Sequence, residues 1–106
     1  MIIVTSERIA GKKIVKTLGL VRGNTVRARH IGKDIMAGLR NVVGGEVHEY
    51  AKLMAESREQ TIDRMCEEAA RLGGNAVIAT RFTTSVIVGG AAELLAVGTA
   101  VVLEPE

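Results

Sequence analysis

A chain of 106 residues, 47% of them hydrophobic, has the size of one domain spanning 1–106 and enough apolar mass for a core of its own. Only 2% is aromatic, so that core is built from Val, Ile, Leu, Met and Ala. The near-balance of 14 basic and 12 acidic residues, net +2, does not by itself indicate a polyanion partner, and a lone Cys66 excludes an internal disulfide.

Taken in chain order, "IIVT" at 2–5 reads as a short β-branched strand. The stretch 12–29, "KKIVKTLGLVRGNTVRAR", is also β-rich but is interrupted at Gly19 and Gly23. As one strand it would run to roughly 60 Å, long for a domain whose radius of gyration should be about 13 Å. Two pieces are therefore expected, 12–22 and 25–30, with a turn at Gly23-Asn24; the alternative is one long strand bent by a bulge at Gly19 or Gly23.

From Ile31 the apolar period lengthens. Ile31, Ile35, Leu39 and Val42 or Val43 predict a short amphipathic helix that stops at Gly44-Gly45. A second, longer helix is expected over 46–72, with Tyr50, Met54, Arg58, Thr61, Met65, Ala69 and Leu72 along one stripe and Glu56, Glu59, Asp63 and Glu67 opposite. It would be about 40 Å long and end at Gly73-Gly74. Two strands follow, "NAVIATRFTTSVIV" and "AELLAVGTAVVLE", joined through Gly89-Gly90. The second is nearly without polar residues from Leu94 to Leu103, as suits a strand covered on both faces, by the helix and by a neighbouring subunit.

Little in this order is chemical. Gly44-Gly45 follows a helix and lacks the further glycines or lysine of a phosphate loop, so it reads as a corner between helices. His30, His48 and Cys66 are the available soft or borderline metal ligands, but they form no CxxC or HExxH pattern. In strict alternation Arg81 shares a face with Val77, Ala79 and Thr83, where it could bind an anion or pair with a carboxylate of another subunit. The basic group Arg22, Arg27, Arg29 and Lys33 has no interleaved aromatics to stack bases, and reads as a guarded edge strand rather than a nucleic-acid surface. No apolar run approaches the roughly 18 residues of a membrane span, and no secretory leader is evident, which makes the cytoplasm the expected compartment.

The ordered segments "GKDIMAGLRNVVGGEVHEY", "RMCEEAARLGGNAV", "RFTTS" and the terminal "GTAVV" resemble the YbjQ family, of uncharacterised function and carrying a heavy-metal-binding label. The resemblance runs over essentially the whole chain. It implies an α+β protomer of two layers, an antiparallel or mixed β-sheet with one long and one short helix, in a dodecin-like arrangement assembled as a ring-shaped homopentamer. It brings no metal-ligand set with it. Gly74, Thr83 and Val97 depart from the family pattern, which has Ala, Asp and Tyr there, so an acid and a tyrosine are missing. The expectation is a homo-oligomeric binding or scaffold protein, holding a metal or small ligand at subunit interfaces, with an engineered or specialised assembly surface as one variant. The alternative is an enzyme with a site completed between subunits, where Arg81 and Glu93 come first.

Overall fold

The computed structural model describes residues 1–27, 48–87 and 91–106. The short helix expected over 31–43, its Gly44-Gly45 stop and the Gly89-Gly90 connection lie outside the described residues. Four strands and one helix make an α+β arrangement: β1 (Ile2–Ile3), β2 (Lys12–Arg27), α1 (His48–Arg71), β3 (Ala76–Ile87) and β4 (Ala91–Pro105). The sheet is mixed, in the order β1-β3-β4-β2, with β1 parallel to β3 and the other pairs antiparallel.

The segment expected to break at Gly23 is a single strand of 16 residues. Its bends fall earlier, at register shifts between Ile14 and Lys16 and between Thr17 and Gly19, where Gly19 has φ +119°. The size argument for a break assumed a near-spherical domain. Here the described residues extend 55 × 26 × 16 Å with a radius of gyration of 17.2 Å, a ribbon long enough for the whole strand.

Gly23 has a different duty. A Cβ there would collide with the Thr61 carbonyl oxygen and the Met65 amide of α1, so the glycine lets helix and sheet backbones meet. Around that contact Val21, Val77, Ala96 and Ala100 pack against Met65 and Ala69, all fully buried. The buried stripe of the helix matches the expected one at Thr61, Met65 and Ala69 and differs at its margins: Ser57 is inside, whereas Arg58 and Leu72 are exposed. Small hydroxylated side chains suit so close an approach. Their polar atoms are satisfied locally, because Thr61 Oγ1 donates to the Ser57 carbonyl at 2.7 Å and Thr25 shares a hydrogen bond with Thr61 at 3.0 Å.

The helix ends as expected. Gly73 takes φ +91°, its amide donates to the Ala70 carbonyl, and the Gly74 amide donates to Ala69, a Schellman closure. No helix among the described residues is long and apolar enough to cross a membrane.

Candidate functional site

Because α1 packs on β2 and β4 across one face of the sheet, the candidate site is sought on the other. The strand registers give its rows. Val26, Glu93 and Ser85 lie side by side on β2, β4 and β3; next come Asn24, Leu95 and Thr83, then Arg22, Val97 and Arg81, then Leu20, Thr99 and Ile78. Beyond that row the same face turns into a second small core, where Val4 and Ile9 of the N-terminal segment pack over Ala76, Ile78, Val101 and Leu103. No described segment covers the first three rows in this way, and Val26 and Leu20 stand 52% and 67% exposed.

Arg81 is on this face for a reason that strict alternation hides. A bulge between Ile78 and Arg81 inserts an extra residue, with Ala79 in the left-handed region at φ 52°. Arg81 therefore shares a side with Ile78 and Thr83, not with Val77, which is buried under the helix. The N-terminal segment holds the strained turn: the Ala79 amide donates to the Ser6 carbonyl and the Thr80 amide to Val4. Arg81 Nη1 adds bonds to the carbonyls of Thr5 at 2.9 Å and Thr80 at 2.8 Å. The guanidinium is thus oriented by backbone while its residue stays exposed. Glu93, half-buried, accepts from Asn24 Nδ2 at 3.1 Å. Its row and the Arg22–Val97–Arg81 row lie about 13 Å apart along the strands, so one chain does not join these charges.

The two metal candidates within the described residues do not converge. His30 lies outside the described residues, and His48 opens α1. Cys66 is on the same helix about 27 Å further along, too far to share an ion with His48 of its own chain. Burial pushes the Cys66 thiol above its ordinary value of 9.0; Asp63 pushes the same way and the N-terminal ammonium opposes it. A thiol held protonated is a poor metal ligand. Among the described residues no group of three or more His, Cys, Asp or Glu could hold a metal ion. A resident heavy metal does not fit the described part of one chain. A depression of about 580 Å³ lined by Met1, Ile2, Lys12, Asn75 and Leu103 offers one charged side chain and lacks a convergent acid–base set.

Comparison with known proteins agrees with the ordered segments of the sequence. A family model described as "Putative heavy-metal-binding", that of YbjQ, matches residues 1–104. The chain belongs to the YbjQ family. Among similar relatives are UPF0145 proteins of Methanosarcina acetivorans, 58% identical over 95% of each chain, and of Clostridioides difficile, 55% identical over all of this chain and 95% of that one. A UPF0145 protein of Halorubrum lacusprofundi is 60% identical over 91% of this chain and 92% of its own. A crystal structure from Pediococcus pentosaceus, of a protein with unknown function in the DUF74 family, superposes with a TM-score of 0.66. It covers 98% of both chains at 18% identity, a likeness of fold alone. The YbjQ description names a ligand class; the described residues of this chain supply no closed ligand set for it.

Sequence reasoning singled out Arg81 and Glu93, but it grouped Arg22 with an edge strand's basic residues and Asn24 with a turn, and did not place either beside them. Both were hidden by the assumed turn at Gly23-Asn24. With one continuous strand, the parity of Leu20, Arg22, Asn24 and Val26 would have placed all four together.

Proposed function

We propose that this protein is a cytoplasmic homo-oligomeric scaffold or binding protein, the whole chain 1–106 acting as one unit, with its working site made between subunits. The observation that carries this reading is the open half of the sheet, where Leu95 and Val97 lie half-buried between exposed Leu20 and Val26 without a described segment over them. Exposed apolar surface of this kind, rimmed by charge, is what a subunit contact uses.

The two edges of the sheet support it further. The β2 edge carries Lys13, Lys16 and two register shifts, and Arg64 Nη1 caps its Asn24 carbonyl at 2.6 Å, all devices that discourage pairing. Past Val77 the outer edge of β3 has no strand beside it among the described residues, and Phe82 and Val86 are 49% and 87% exposed. Unlike edges favour head-to-tail contacts, which close into rings and leave the open face for contact between rings, in keeping with the dodecin-like, ring-shaped pentamer that the family resemblance implies.

Native mass spectrometry on protein purified without chelators or a metal-affinity step tests this. Five chains, or a multiple of five, is the expected mass; a single-chain mass sinks the reading. Leu95→Asp and Val97→Asp are each expected to lower that mass, because each would bury a charge between subunits. A second reading follows from the family's description: a metal shared between subunits, since the described residues of one chain bring no sufficient donor set together. Stoichiometric metal on the oligomer would direct attention to His30, His48 and Cys66, whereas a bare oligomer would remove it.

A further inference from the structure

The charges on the open face are laid out in a way that selects one mode of self-contact. On β4, Glu93 and Val97 stand two residues either side of Leu95. Val97 is flanked in its own row by Arg22 and Arg81, about 10 Å apart across the sheet. Glu93 is flanked by the uncharged Val26 and Ser85. Among the described residues, the face therefore holds a single carboxylate at one end and a pair of guanidiniums at the other, with Leu95 midway.

Two copies stacked face to face can be related by a twofold axis along the strands or across them. Along the strands, each row meets its own kind: Glu93 lies over Glu93, and the arginine rows oppose each other. Like charges so placed cost several kcal/mol and reject that arrangement. With the axis across the strands, through Leu95, the order of rows is reversed. The carboxylate row of one copy then lies over the arginine row of the other, twice by symmetry. Facing sheets sit about 10 Å apart and cross at about 30°, a separation that glutamate and arginine side chains can span together.

We infer that the open face is an isologous contact between two copies of this chain, with the twofold axis at Leu95 and each Glu93 seated between the Arg22 and Arg81 of the other copy. The occupant is a second copy because the complement to each charge is on the face itself. Arg81 is already oriented by the Thr5 and Thr80 carbonyls, so less side-chain freedom is lost when the contact forms. The patch, roughly 14 by 20 Å, is small beside the ~800 Å² per partner of a stable interface. The contact is consequently weak and concentration-dependent, with its register set by charge. The inference rests on the self-association proposed above and adds to it that rings, where they form, pair into double rings.

Two complementary variants test it. Glu93→Arg makes the face wholly positive, and Arg22→Glu with Arg81→Glu makes it wholly negative. Sedimentation velocity across a concentration series, with native mass as a second readout, is run on the wild type, on each variant and on their equimolar mixture. The wild type is expected to double its mass as concentration rises. Each variant alone should weaken that step by at least about tenfold. The mixture should recover it, which misfolded variants could not do. An oligomer whose mass is the same in the wild type and both variants overturns the pairing and leaves the scaffold reading standing. Failure of the mixture to recover the doubling also overturns it, and a wild-type monomer at every concentration overturns both.

Discussion

On the face under α1, the sheet presents Val21, Gly23, Ala96 and Ala100, side chains so small that at Gly23 the helix lies almost on the strand backbone. On the opposite face, the intervening positions of the same two strands carry Leu20, Arg22, Asn24, Leu95 and Val97, larger and partly wet. The strands are common to both, so alternation alone does not explain the difference. What differs is the partner. One face meets a helix of its own chain whose closest residues are Ser57, Thr61, Met65 and Ala69; the other has an N-terminal segment over one end and no described cover over the rest. The smallest residues mark where the helix comes closest, and the larger ones of the first three rows opposite have no cover among the described residues.

The strongest way to break this comparison is Gly23→Ala. The added methyl meets helix backbone, which cannot rotate aside, and a loss of about 3 kcal/mol is expected in urea unfolding, at the upper end for overpacking. Unfolding unchanged to within 0.5 kcal/mol would mean that the helix rests on the sheet less closely. Gly73→Ala tests the opposite kind of glycine. It has open space around its Cβ position but φ +91°, so a smaller loss of about 1 kcal/mol should come from backbone strain alone. On the open face, Leu20→Ser at a 67% exposed position should change the protomer's unfolding free energy by less than about 0.5 kcal/mol. Measured at dilutions where the chain does not associate, it sharpens the contrast with Gly23.

The smallest effect concerns Cys66. Its thiol is held above the ordinary 9.0 by burial, so the folded protein keeps that proton where the unfolded chain has released it. The contribution to stability is therefore full below pH 9 and lost as pH rises through the folded value. Melting temperature should fall slightly more steeply above pH 9 in the wild type than in Cys66→Ala. Equal slopes would place the thiol in water.

Much of this architecture was legible from residue order. The long helix was evident from its apolar period and its double-glycine end, and both C-terminal strands from their β-branched runs. The misreadings cluster where a local signal has two causes. Glycine at 23 looked like a turn because turns and close backbone approaches both demand a missing side chain, and only the helix lying across it distinguishes them. The side on which Arg81 emerges was misassigned because a one-residue bulge flips every later position, and Ala79 is an unremarkable residue to find in a left-handed bend. Arg22 was read only as an edge-strand charge because the assumed turn cut its strand short of the row it shares with Val97 and Arg81.

Composition and period determined that this chain is α+β, that its core is aliphatic, and that its longest helix has one buried side. Those properties depend on side-chain type and spacing within a segment. Tertiary structure alone decided which sheet face the helix takes, where the bulge turns β3, and that Glu93 and the Arg22–Arg81 pair stand at opposite ends of one open surface. Each of these depends on the register between strands far apart in sequence, and a shift of one residue would move every one of those charges to the other side.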